Sequence, residues 1–164
     1  MRVDFFVDTA LLPALRLLPL EMGSPAGMAM VVAICLQESR LTQRRQINGP
    51  ARGYAQFERG GGVWGVVTHP LTRARLAHVC GQLDISPDSA KVYEAIEFND
   101  ILACALARLL LWTLPQGLPN ADQPEEGWRQ YLAAWRPGKP HRTTWDAFYE
   151  QAWQAVAAAT RNAP

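Results

Sequence analysis

Apolar residues recur at helical rather than alternating spacing along most of the chain, which predicts an all-α protein, or a mainly α one with a very small β element. From Val7 to Leu20, leucines stand at 11, 12, 15, 18 and 20, and Pro13 and Pro19 are expected to limit or kink that helix. Ser24-Pro25 reads as an N-cap with proline in the first turn, opening a strongly apolar helix over Ala26 to Leu41. Between Thr42 and Gly65 polar residues and glycines break the pattern, with a short β-like piece expected at Gly53 to Phe57. Leu71 to Leu83 is a further expected helix. Ser86-Pro87 reads as a second N-cap, beginning one long helix from Asp88 to Leu114; Ile96, Leu102, Leu106, Leu109 and Leu110 make it the expected central core helix. Two last helices are expected at about Glu125 to Trp135 and Thr144 to Thr160, separated by Arg136-Pro137-Gly138-Lys139-Pro140.

Composition narrows the function classes. At 164 residues, 49% hydrophobic and 19% charged, with no linker-like stretch, the chain is expected to form one domain over 1–164. A formal charge of +1 gives no encouragement to nucleic acid as a partner. Cys35, Cys80 and Cys104 are odd in number and scattered, which points to reduced thiols. His69, His78 and His141 lack metal-ligand spacing, so neither metal nor other cofactor is expected. Asp8 falls where a signal peptide would need its apolar region, so no Sec export is expected. The apolar run from Ile101 to Pro115 contains Arg108 and is shorter than the roughly 20 residues of a membrane span, so stable insertion is not expected. Gly60-Gly61-Gly62-Val63-Trp64-Gly65 matches the dinucleotide-binding glycine pattern, but no alternating β/α pattern surrounds it. A mobile glycine-rich flap carrying Trp64 is the expectation there.

The most informative position is Glu38. It follows Val31 by seven residues, Ile34 by four and Cys35 by three, which places a carboxylate on an apolar helical stripe. Two environments are open to it: an ion pair with Arg40 or another arginine at the surface, or desolvation that raises its pKa and keeps a proton available to a reacting group. A second carboxylate is offered by Glu58. In an extended segment it would share a side with Gln56; the alternative is a solvated pair with Arg59 or Arg52. Glu97 and Asp100, on the expected long helix, rank behind it. Arg40, Arg44, Arg45, Arg52 and Arg59 crowd the same interval and read either as a basic rim for an acidic polymer or as a solvated loop.

In order along the chain stand Glu38-Ser39 at the end of the apolar helix, Gly53-Tyr54-Ala55-Gln56 after a Gly49-Pro50 turn, and Tyr131-Leu132-Ala133-Ala134-Trp135. This series resembles the lysozyme-like superfamily, in particular phage endolysins and soluble lytic transglycosylases. The likeness runs from about Ser24 to Tyr149 and is sharpest over Leu36 to Gly62. It implies a helical domain with a glycan-binding cleft, acting on peptidoglycan strands at the β-1,4 bond between N-acetylmuramic acid and N-acetylglucosamine. It makes Glu38 the catalytic acid and base. Ser39, Gly53, Tyr54, Gln56, Tyr131 and Trp135 become substrate-binding residues, Gln56 as an orienting amide and Gly53 as a point of close backbone approach. Leu132-Ala133-Ala134 stands where the family has Asn-Ala-Gly, and the Trp135 that follows is the candidate to stack on a sugar.

A hydrolase would usually call on a second carboxylate, hence Glu58, whereas an anhydro-forming transglycosylase can manage with one. The resemblance further implies a monomer held in the host cytoplasm before release to the periplasm, or carried in a virion. The other reading is a catalytically inactive phage structural or wall-binding protein of the same fold.

Overall fold

The structure, a computed structural model, describes residues 1–161 and is all-helical. α1 (Val3–Phe6) and α2 (Leu12–Arg16) are joined without a break by a π-helical turn, Val7–Leu11. Pro13 has no N–H to donate, and the backbone widens just before it, with Leu12 N–H bonding to the carbonyl of Val7. The proline is thus accommodated rather than terminating the helix, which also starts earlier than the leucine spacing predicts.

α3 (Pro25–Ser39) starts as expected, with the Ser24 side chain accepting from Gly27 N at 3.2 Å. Met28 through Leu36 are all buried, so α3 is apolar on every face and runs through the core. After the loop come a π turn, Arg59–Val63, and α4 (Trp64–Thr68), then α5 (Arg73–Gln82). The expected long helix is instead two, α6 (Ser89–Ala95) and α7 (Asp100–Trp112). Asp88, not Ser86, caps α6: its carboxylate accepts from Ala90 N and Lys91 N. Asn99 interrupts the apolar stripe by capping α7, its Oδ1 accepting from Leu102 N at 3.0 Å. α8 (Pro124–Trp135) and α9 (Arg142–Arg161) complete the order; α9, at 20 residues, is the longest element.

One contiguous core extends from Phe6 to Val156, with α9 packed along α3 and α7 against α3, α5 and the first π turn. Arg108 is buried within it at 2% exposure. Its Nε donates to the carbonyl of Met22 at 2.8 Å and its guanidinium lies 5.2 Å from the Trp112 ring; burial lowers its pKa to about 10. This approach explains a glycine inside α3: a Cβ on Gly27 would sit 2.6 Å from Arg108 Nε. The three cysteines are free and buried. Among the described residues, no helix is long and apolar enough to cross a membrane. The expected domain bounds of 1–164 include residues 162–164, which lie outside the described residues.

Candidate functional site

Glu38 lies in the last turn of α3. Its apolar helix neighbours hold it half-buried, and among the described residues it makes no ion pair with Arg40. Tyr131, from the middle of α8, instead donates its hydroxyl to Glu38 Oε1 at 2.6 Å across 93 residues of sequence. The two groups shape each other's protonation. Burial pushes the Glu38 carboxyl above its usual range, and the phenol's hydrogen bond partly opposes that rise by favouring the ionised form. Burial, the nearby carboxylate and the hydrogen bond together hold Tyr131 well above the ordinary phenol range. Tyr131 therefore stays a donor, fixed on one carboxyl oxygen, and the proton Glu38 carries belongs on the other.

Packing explains the position of the phenol. α8 presents Trp128 and Tyr131 toward α9, where Trp145 is fully buried and stacks on Tyr131 with centroids 5.3 Å apart and planes at 17°. Trp145 is itself fixed by its indole N–H on the carbonyl of Pro124. On the other flank of Glu38, Gln37 Nε2 donates to the carbonyl of His141 at 2.9 Å, and Thr144 Oγ1 donates to Gln37 Oε1 at 3.0 Å. Sequence reasoning missed this tie, because an ordinary Gln37 more than 100 positions from His141 and Thr144 carries no motif. The aromatics were visible in the sequence at i, i+3 and i+7, but their partners on α9 were not.

Several residues expected to bind substrate turn out to be engaged within the fold. Ser39 is buried; its hydroxyl donates to the carbonyl of Cys35 and accepts from Leu41 N. It secures the exit from α3, where Arg40 and Leu41 both take left-handed backbone at φ 51 and 54. That strain is held by Leu41, which is fully buried. Tyr54 is a core residue, edge-on to Phe6 at 5.9 Å with the Arg44 guanidinium over its ring at 4.6 Å. Gly53 is required by the fold: at φ 70, a Cβ would stand 2.9 Å from the carbonyl of Ile96.

The expected extended piece is a tight turn between isolated bridges, Arg45 to Arg52 and Arg52 to Phe57. Gln56 sits in it with left-handed backbone at φ 49, and its side-chain N–H donates back to the Gly53 carbonyl at 2.7 Å. The shared-side geometry expected of Gln56 and Glu58 therefore does not hold. Glu58 is exposed and forms no ion pair with Arg52 or Arg59 among the described residues. Trp135 donates its indole N–H to the carbonyl of Ala55 at 2.8 Å, with its ring against Phe57 and Tyr131, so it fastens the turn to α8. Glu38, Tyr131, Trp135 and the Gly53–Gln56 turn are thereby linked in one continuous chain of contacts.

The arginine-rich interval is likewise mostly internal. Arg44 forks onto Asp100 at 3.0 and 2.6 Å, and Arg45 onto Glu97 at 3.0 and 2.8 Å, with Arg52 3.4 Å from the same Glu97. Arg52 also lies over the Tyr93 ring. These pairs remove Glu97 and Asp100 as free carboxylates and bind the loop to the α6–α7 elbow. The glycine-rich stretch is anchored as well: a Cβ on Gly62 would lie 2.5 Å from the Phe57 ring, Val63 is fully buried, and Trp64 is 55% exposed. A cavity of about 530 Å³ between the N-terminal residues and α9, lined by Leu36, Arg40 and Phe148 among others, includes neither Glu38, Glu58 nor any of the expected substrate-binding residues. Comparison with protein-family models, curated proteins and solved structures gives no match.

Proposed function

We propose that the protein cleaves the β-1,4 bond between N-acetylmuramic acid and N-acetylglucosamine in peptidoglycan, as a phage-type endolysin or lytic transglycosylase, with Glu38 as proton donor and then base. The observation that carries this reading is the Glu38–Tyr131 pair: a half-buried carboxyl with a raised pKa, one oxygen held by a phenol and the other without a hydrogen-bond partner among the described residues. The Gly53–Gln56 turn, tied through Trp135 to the same helix as Tyr131, is the second part of the constellation.

Of the two product chemistries, the single-carboxylate route is the better supported. Glu97 and Asp100 are held by arginines, and Glu58 lies exposed beyond the turn. In this route Glu38 protonates the departing glycosidic oxygen as the C1–O bond breaks. The resulting carboxylate then removes the proton from the same sugar's 6-hydroxyl, whose oxygen closes onto C1. Water is not consumed and Glu38 ends protonated, ready for another cycle.

The test is release of soluble muropeptides from purified peptidoglycan, read by mass spectrometry. The expected products are one water lighter than those of hydrolysis, and Glu38→Gln is expected to release none. Equal release by wild type and Glu38→Gln overturns the assignment. Binding without release by the wild type favours a wall-binding protein, the reading that the Leu132-Ala133-Ala134 departure from a polar motif also favours.

A further inference from the structure

Residues 59–83 carry Arg59, Arg73 and Arg75 with His69 and His78, and no Asp or Glu. α5 turns much of this charge outward: Leu76, Val79 and Cys80 are buried beneath it, while Arg73, Ala74, Ala77 and His78 are exposed. Along its edge runs a groove of about 390 Å³ with almost wholly apolar walls, lined by Leu17, Pro19, Ala74, Arg75 and His78. Near the lining residues in sequence, two large apolar side chains are exposed. Leu20, next to Pro19, is 96% exposed, and Leu71, one turn before Arg75, is 51% exposed. Arg75 Nη1 donates to the Leu71 carbonyl at 2.6 Å, which fixes its guanidinium beside the groove. Among the described residues neither Arg73 nor Arg75 forms an ion pair; Glu21 is the acid that adjoins the patch.

We propose that this face docks onto the surface of a bilayer containing anionic phospholipid, with Leu20 and Leu71 entering the interfacial layer and Arg73 and Arg75 meeting headgroup phosphates. Exposed leucines close in sequence to an apolar groove, beside a basic stretch that carries no acid of its own, are what such a surface rewards, since apolar burial and attraction to anionic lipid act together there. A second copy of the chain fits less well, because a two-fold contact through this patch would set arginine against arginine. Duplex nucleic acid would satisfy the arginines but leave the leucines and the groove without a partner. Docking at the surface also agrees with the absence of a helix able to cross the membrane among the described residues.

The inference is independent of murein cleavage and is tested without it, by sedimenting the full chain with vesicles of phosphatidylcholine alone or mixed with phosphatidylglycerol. Binding to the mixed vesicles, little to the neutral ones, and weakening with added sodium chloride are expected. Each arginine near an anionic surface contributes about fivefold, so Arg73→Gln/Arg75→Gln is expected to weaken binding roughly 25-fold. Leu20→Ser changes no charge at a site too exposed to disturb the fold, and is expected to weaken it as well. Glu38→Gln is expected to bind as the wild type does. Equal binding to neutral vesicles, binding unaffected by either set of changes, preference for duplex DNA over the mixed vesicles, or a dimer that Leu20→Ser dissolves would each overturn the proposal.

Discussion

Glu38 and Glu97 are the same residue type, one in the last turn of α3 and the other in the elbow between α6 and α7, and the fold treats them in opposite ways. Glu97 faces Arg45 and Arg52, which hold its carboxyl below the ordinary range. Glu38 faces a phenol and a wall of stacked aromatics that supply no positive charge, and burial drives its carboxyl above that range. The first environment fixes a negative charge to join a loop to the α6–α7 elbow. The second favours a proton on the carboxyl. Whether a carboxylate is structural or chemically available is thus decided by the partner that reaches it, not by its place on a helix.

The largest expected effect is on activity. Glu38→Gln should lower peptidoglycan cleavage by between about a hundred- and ten-thousand-fold, the range that a positioned general acid contributes; turnover on purified peptidoglycan measures it. Tyr131→Phe removes the donor that favours the ionised carboxyl, so the alkaline limb of the pH–rate profile should move upward, with a loss of roughly tenfold in rate from a charge-assisted hydrogen bond. A profile that stays in place or moves downward contradicts the pairing.

Stability should separate the two carboxylates by sign. With its folded pKa raised, Glu38 imposes a penalty that is absent below the unfolded value near 4.5 and grows as pH rises through the folded value. Glu38→Gln, which still accepts from Tyr131, should therefore melt higher than the wild type at neutral pH, and the gain should vanish below that value. Glu97, with its folded pKa depressed, contributes stability above its unfolded value near 4.5 that is lost as pH falls through the folded value. Glu97→Gln should melt lower than the wild type at neutral pH and converge with it in acid. Because the Arg45 side chain is 60% exposed, this last shift should be the smallest of the set and shrink further with added salt. Two melting curves that change in the same direction would break the contrast.

How far the sequence could be read follows the same division between local and tertiary physics. The helices α3 and α8, the Ser24 cap and the place of Glu38 among apolar helix neighbours depend on residues three to seven positions away, and they are where the sequence puts them. The break between α6 and α7 was missed because apolar residues recur on both sides of Glu97-Phe98-Asn99-Asp100, where a cap is hard to tell from an ordinary helical residue. Ser39, Gly53, Tyr54 and Trp135 were identified as residues that matter, but not for their roles. Each satisfies a contact inside the protein, such as the Ile96 carbonyl against Gly53 or the Ala55 carbonyl on Trp135, that only the assembled fold brings near. The arginines were read either as a rim for an acidic polymer or as a solvated loop, because their acids lie 52 and 56 residues downstream.

The most direct measurement is the titration of the Glu38 carboxyl itself, followed by carbon NMR of the labelled side chain in the wild type and in Tyr131→Phe. The expected midpoint lies above the ordinary 4.5 in the wild type and higher still once the phenol is gone. A wild-type midpoint at or below 4.5, or one that falls when the hydroxyl is removed, would contradict the claim that Glu38 is held as a proton donor.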